Sequence, residues 1–300
     1  MERLLQYSLF VALSTLVACL TLGVFAKKKY AKSIFLSFIF VLVHFGLLSQ
    51  LFYLAEISLR PSPLYLSLYW LLVLAASVPC ISHLSRKLKA VIVLRKTFHL
   101  IVLLLFAPPI ILRQNLEFIA AAGVTVLCGM IVLETVRVGK IHPKISASLN
   151  KFMSPLLDKK DSKRTLVTSH MELLVASIAA VWVNQAFPKS PFTWTESSRF
   201  LLCGLLTVGV GDSAAAIGGL NFGKPIKLPL SDKSLQGLLS FIASVLLALR
   251  FVSIVDAAAI IATIASALTE AYVHKFDNIA LPFVFAATML LCRTFLDLHM

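Results

Sequence analysis

Apolar residues run along this chain in blocks of about twenty, the length of helix that crosses a bilayer's hydrocarbon core, and lysines, arginines or short polar stretches separate the blocks. Ten such blocks predict helices over roughly 4–26, 33–55, 64–84, 97–113, 118–136, 166–187, 200–220, 236–250, 253–272 and 279–296. The fourth contains Pro108-Pro109 and is expected to kink or to be partly re-entrant. The eighth is short for a full crossing. The first, Leu4 to Ala26, is long, lacks an obvious small-residue cleavage site and is followed at once by Lys27-Lys28-Lys29. It reads as a retained span, not a signal peptide. The pattern predicts an all-α fold, a polytopic transmembrane helix bundle of about ten spans.

Composition agrees with the pattern. Of 300 residues, 59% are hydrophobic and 14% charged, against about half and a quarter in soluble domains. A water-soluble fold of this size has no place to hide so much apolar surface. The formal charge of +14 does not imply a nucleic-acid partner, because the basic residues sit between apolar runs as orientation signals do. Cys19, Cys80, Cys128, Cys203 and Cys292 all fall inside apolar stretches, with no spacing that suggests zinc or a disulfide framework.

Charge also sets sidedness. The connections after the odd-numbered spans carry 21 of the 28 lysines and arginines, and the opposite set carries 7. Basic loops stay in the cytosol, so the first set is expected there and both termini on the far side. The polar connections with chemical potential all belong to the basic set.

The most unusual of these stretches is Gly204–Gly237, which holds seven of the chain's twelve glycines around Gly209-Val210-Gly211-Asp212-Ser213. Small residues let helices pack closely in lipid, and glycine also lets backbone N–H groups approach a ligand. Asp212 favours a site. A carboxylate in a membrane helix is costly without a cation or another partner, and beside a small-residue turn it suits magnesium bridging phosphates. The following loop carries Gly223-Lys224 and Lys233-Ser234 with Gly237, where each lysine can act as a point charge on phosphate. It lacks the G-x-x-x-x-G-K-[ST] pattern of a P-loop. Arg95-Lys96-Thr97-Phe98-His99 opens the fourth span; it reads as interfacial anchoring or as a phosphate-binding group with a proton-transfer histidine. Asp158 and Asp161 lie among Lys159, Lys160, Lys163 and Arg164, where they either order a metal–nucleotide complex or are simply solvated. Glu134 and Glu172 lie closer to lipid and are costlier. Glu270 and Asp277, about two helical turns apart, are further metal or base candidates.

In order and spacing these pieces resemble the C-terminal half of dolichol kinases. The matching stretches are Arg95–His99, Leu133–Arg137, Leu157–Ser162, Thr168–His170, Val208–Ser213, Phe222–Lys224, Lys233–Gly237, Glu270–Tyr272 and Asp277-Asn278, within about 95–282. The Gly-Asp-Ser and Lys-Ser-x-x-Gly elements are also similar to phytol and farnesol kinases and, more distantly, to CTP-using phosphatidate cytidylyltransferases. The chain departs from the family pattern Lys-Lys-Thr-x-Glu-Gly, having Asp232 for the first lysine and Gln236 for the glutamate. The resemblance implies N-terminal membrane spans over 1–90 and a kinase-like membrane domain over 91–300. It implies CTP as phosphoryl donor, a divalent cation such as Mg2+, a polyisoprenoid alcohol acceptor, and an endoplasmic reticulum membrane with the site facing the cytosol. The product, dolichyl phosphate, would support lipid-linked oligosaccharide synthesis and protein glycosylation.

On this reading Asp212, Lys233, His99, Arg95 and Lys96 are the catalytic set. Gly211, Ser213, Gly223, Lys224, Ser234, Gly237, Asp158 and Asp161 contact the nucleotide, and Asp212, Glu270 and Asp277 hold metal. The general base stays open among Asp158, Asp161, Glu270 and His99. The competing expectations are a phytol- or farnesol-type polyprenol kinase, a CDP-lipid cytidylyltransferase, a transporter with Glu134, Glu172 and Asp212 along an ion path, and a catalytically inactive relative.

Overall fold

The structure, a computed structural model, describes residues 51, 54–58, 60–87, 91–140, 143–154, 166–186, 194–221, 226–252, 255–273 and 276–297. The expected spans at 4–26 and 33–55 lie outside these residues, apart from the end of the second. Among the described residues the secondary structure is helical, with one isolated antiparallel bridge between Lys227 and Ser234. The helices are α1 (Pro61–Lys87), α2 (Val91–Ile111), α3 (Leu116–Gly139), α4 (Pro143–Met153), α5 (Ser169–Ala186), α6 (Trp194–Gly204), a π-helix (Leu205–Asp212), α7 (Ser213–Asn221), α8 (Leu235–Val252), α9 (Ala257–Tyr272) and α10 (Asp277–Asp297).

Among the described residues five stretches have the length and apolarity to cross a membrane: Pro61–Ile81, Leu94–Ile111, Leu116–Gly139, Ser198–Asn221 and Leu235–Val252. Ala257–Tyr272 is apolar but shorter. The chain is thus a helical membrane protein. The eighth expected span is longer than its hydropathy pattern suggests. Leu235–Val252 has 18 residues, or about 27 Å at 1.5 Å per residue. The gain comes from Leu235, which follows an N-cap at Ser234, and from Phe251-Val252 beyond Arg250.

Two compact units make up the chain, Met1–Tyr69 with Asn115–Met171, and Trp70–Gln114 with Glu172–Met300. In the first, α3 is held at both ends by residues in the left-handed region, Asn115 (φ 56°) and Lys140 (φ 53°). The Asn115 carbonyl still accepts from Ile119 N–H at 2.9 Å. Near the C-terminal end of α3, buried Glu134 receives both Arg137 Nη2 (2.6 Å) and Nε (2.7 Å), and accepts from the Val167 backbone N–H at 2.6 Å. The carboxylate that sequence marked as costly in lipid is therefore fully engaged, and it ties the end of α3 to the strand of chain that leads into α5.

In the second unit α2 continues through Pro108-Pro109 to Ile111, so no re-entrant turn forms. A proline removes the N–H that would bond the carbonyl four residues earlier. Pro109 thereby orphans the Leu105 carbonyl, and Trp70 Nε1–H donates to that oxygen at 2.8 Å. The Trp70 ring also meets Phe106 edge-on, with centroids 5.6 Å apart. The indole satisfies the acceptor that the proline stranded, which removes the main reason for the helix to break there.

The Gly-rich helix runs at the centre of this unit. The π-helix packs on α2, α8, α6, α7, α10 and α9. Its glycines are places of close approach. A Cβ at Gly204 would collide with the Ala176 carbonyl oxygen of α5. One at Gly211 would lie 2.7 Å from the Phe241 ring, and one at Gly237 would lie 3.0 Å from the Ala215 carbonyl oxygen. The end of the unit away from α8's start is closed by a polar knot. Asp256 caps α9 by accepting from Ala259 N–H at 2.8 Å, and its other oxygen receives Arg199 (2.5 Å) and Arg293 (3.3 Å).

Because Gly204 meets backbone rather than a movable side chain, Gly204→Ala is expected to destabilise the protein by about 1–3 kcal/mol. A lowered midpoint of thermal unfolding in detergent, with Gly129→Ala unchanged or raised, is the measurement, since a Cβ at Gly129 meets nothing within 4 Å and alanine favours the helix.

Candidate functional site

Asp212 is the last residue of the π-helix. A π-turn widens the helix and often marks a functional position. Lys96, one turn into the described part of α2, forms an ion pair with Asp212. Both are mostly buried, at 16% and 14% side-chain exposure. His99, a turn further along α2, is buried and places Nδ1 3.0 Å from the Val208 carbonyl oxygen and 3.5 Å from the Asp212 carboxylate. A carbonyl only accepts, so Nδ1 carries the proton. Arg95 lies beside this pair on α2 and acts electrostatically on His99. Ser213, next to Asp212, has a buried Oγ with no hydrogen-bond partner. A buried hydroxyl without a partner is uncommon and costly.

A second lysine–carboxylate pair stands nearby. Lys233 meets Glu270, which is 6% exposed while the lysine is 42% exposed. Burial works against the Lys233 ammonium, but the Glu270 carboxylate beside it, helped by Asp212 and Asp277, outweighs this and raises its pKa above the usual lysine value. Asp212 and Glu270 also feel each other and Lys96. The result is one alternating cluster: Lys96, Asp212, Lys233, Glu270 and, at the first turn of α10, Asp277.

The loop that carries Lys233 is tightly laced. Leu228 N–H donates to the Lys233 carbonyl at 3.0 Å, and Leu235 N–H donates to the Ile226 carbonyl at 2.8 Å. Ser231 Oγ donates to the Ala271 carbonyl at 2.6 Å and accepts from Lys233 N–H at 3.1 Å. That hydroxyl therefore fixes Lys233 against the end of α9, close to Glu270. Ser234 caps α8, its Oγ accepting from Gly237 N–H at 3.1 Å. Gln236 Oε1 accepts from Ile226 N–H at 3.0 Å and closes the base of the loop. Here the residue that departs from the family pattern has a structural task.

Of the residues marked in the sequence, the structure brings together Arg95, Lys96, His99, Asp212, Ser213, Lys233, Glu270 and Asp277. Gly211, Ser234 and Gly237 are adjacent, but their visible roles are packing and capping. Gly223, Lys224, Asp158 and Asp161 lie outside the described residues. Among the described residues no three His, Cys, Asp or Glu side chains are arranged as a metal-binding group by themselves. Sequence reasoning missed Ser231 and the Val208 carbonyl. Ser231 is two residues before Lys233, a spacing at which a hydroxyl can bond the backbone and form a turn. Nothing in the sequence marks the Val208 carbonyl.

The family profile described as Dolichol kinase matches residues 4–242. The chain is 30% identical over 245 residues to "Dolichol kinase EVAN" of Arabidopsis thaliana, covering 76% of this chain and 40% of that protein. It is 32% identical over 243 residues to "Dolichol kinase" of Homo sapiens, covering 73% and 43%. It is 29% identical over 195 residues to "Dolichol kinase sec59" of Schizosaccharomyces pombe, covering 63% and 37%. The chain thus matches about two fifths of the length of these curated relatives. No solved structure matches it. Since the family profile extends over residues 4–242, most of the sequence, this chain belongs to the dolichol kinase family.

Proposed function

We propose that the chain transfers the γ-phosphoryl group of CTP to the terminal hydroxyl of dolichol, at the cytosolic face of the endoplasmic reticulum membrane. The observation that carries this reading is the convergence of Lys96–Asp212 and Lys233–Glu270 with the unpartnered Ser213 Oγ at one end of a helical unit. The cytosolic orientation is supported by the lysine and arginine bias of the connections that supply these residues.

Phosphoryl transfer is catalysed mainly by positioning and charge neutralisation. Lys96 and Lys233 are held ready by carboxylates and exchange those partners for phosphate oxygens when the nucleotide arrives. The exchange uncovers Asp212 and Glu270. Magnesium is usually bound through one or two carboxylates together with substrate phosphates, not by a dedicated protein cage. Asp212 with the Ser213 hydroxyl would fit that donor set, and Asp277, whose charge reaches Lys233, is a further candidate. When bound, a cation would supply charge neutralisation to the transferring phosphoryl group. The dolichol oxygen forms its bond to the γ-phosphorus as the bond to the β–γ bridging oxygen breaks, and CDP leaves. The hydroxyl proton passes to the Glu270 carboxylate, which Lys233 leaves as it turns to phosphate. His99, anchored on Val208, keeps Asp212 in place, and Arg95 adds positive charge at the entrance.

The test is purified protein in lipid vesicles with labelled CTP and a panel of dolichol, polyprenol, phytol and farnesol. The expected products are dolichyl monophosphate and CDP. A CDP-lipid with pyrophosphate instead would replace the kinase by a cytidylyltransferase, and phytyl or farnesyl phosphate as the main product would move the acceptor.

Two substitution results are expected. Asp212→Asn lowers the rate by roughly 10²–10³-fold, the scale of removing one preorganised electrostatic group, while membrane insertion is unchanged. Lys233→Met strands the buried Glu270 and costs about 1–3 kcal/mol of stability. Adding Glu270→Gln to it restores the unfolding midpoint but not CTP turnover, which thermal unfolding and the assay report separately.

A further inference from the structure

We propose that α4 is an interfacial helix that lies on the bilayer surface and recognises anionic phospholipid headgroups. This is independent of the catalytic reading above.

The helix is amphipathic in an unusual place. Ile145, Leu149 and Phe152 recur at the i, i+4, i+7 spacing that lines one face. The two ends of that face are open: Ile145 is 47% exposed and Phe152 71%, with Leu149 half-buried between them. Lys144 and Lys151 are also exposed, lie seven residues apart on a neighbouring face, and are preceded by Lys140 at the end of α3. The sequence has no carboxylate between Glu134 and Asp158, so the helix presents lysine charge with no acidic residue of its own.

Its depth is fixed by its neighbour. Ser146 Oγ donates to the Val136 carbonyl at 2.9 Å, and Arg137 Nη1 donates to Asn150 Oδ1 at 3.0 Å. Both anchors lie in the last turn of α3, whose 24 residues Leu116–Gly139 are long and apolar enough to span a membrane. At 1.5 Å per residue α3 is about 36 Å long, a few ångströms more than the hydrocarbon core of about 30 Å. Its final turn therefore stands at the headgroup level, and α4 is pinned there. In helical projection the anchoring residues, the apolar face and the lysines occupy three separate sectors, about 120° apart. With one sector on α3, the second meets the acyl boundary and the third meets the headgroups. This is the arrangement of surface-lying membrane helices, in which apolar burial and lysine attraction to anionic lipid add. A large apolar face at that depth in water would be exposed to no purpose, and the lysine sector makes an anionic surface the complementary partner.

The test is photocrosslinking from p-benzoylphenylalanine placed at Phe152 in the full chain, reconstituted in vesicles of phosphatidylcholine with phosphatidylserine. Ala147, on the opposite sector and exposed, is the control position. Position 152 is expected to label phospholipid on the order of tenfold more than position 147, with phosphatidylserine favoured over phosphatidylcholine. Lys144→Gln with Lys151→Gln is expected to lower that preference by roughly fivefold per lysine. Equal lipid labelling at 147 and 152, or labelling of protein instead of lipid from 152, overturns the surface position. Unchanged phosphatidylserine preference in the double variant overturns the recognition of charge.

Discussion

A charge that enters a bilayer must be met by an opposite charge or by polar groups, since water is not there to solvate it. The Lys96–Asp212 pair is where this constraint acts on the second unit. Asp212 sits at the end of a π-helix among apolar helices, and Lys96 reaches it from α2. The pair determines which faces of α2 and the central helix meet. His99 follows, because its bond to the Val208 carbonyl is available only with those faces together. A partnered carboxylate in lipid remains expensive, and pairing alone does not explain why one is kept. The proposed phosphoryl-transfer site, which needs a carboxylate and an ammonium within reach of phosphate, gives a reason.

The rest of the packing serves the same geometry. Gly211 lets Phe241 and Val245 of α8 approach the central helix, and Gly237 lets the start of α8 approach Ala215. These contacts bring the Lys233 loop beside Asp212. Ser231 and Gln236 then tie the loop to Ala271 and to Ile226, so that Lys233 is presented to Glu270 by a frame of backbone hydrogen bonds. In the proposed reaction the rigidity of the frame matters because the attraction between point charges and phosphate depends on distance, and a loose loop would spread the lysine over many positions.

Helix type was legible in the sequence because hydropathy acts over twenty residues, and Leu116–Gly139 or Ser198–Asn221 stand out by composition alone. The charged members of the candidate cluster were legible for the complementary reason: Asp212, Lys96 and Glu270 are anomalies against an apolar background. Their pairing was not, since nothing local tells Lys96 to choose Asp212, 116 positions away, or Lys233 to choose Glu270. Pro108-Pro109 left a re-entrant turn open because that outcome depends on whether the stranded carbonyl finds a donor, and Trp70 lies 35 positions before Leu105. Gln236 read as a lost carboxylate, whereas its amide oxygen is needed by Ile226. Gly211 and Gly237 were open in the sequence between ligand contact and helix packing, and the close approach of helices at both is what the structure adds.

The polar knot of Asp256, Arg199 and Arg293 has a mechanical meaning. It closes one end of the second unit as the lysine–carboxylate cluster closes the other, and α8 runs between the two levels. Two charged caps joined by an 18-residue apolar rod act as a ruler of about 27 Å, which is close to the hydrocarbon thickness of the endoplasmic reticulum and short of that of sterol-rich plasma membrane. In a thicker bilayer one cap would be dragged toward the oil or the surrounding lipid would have to pinch inward, so membrane thickness becomes a load on the same ion pairs that hold the site together.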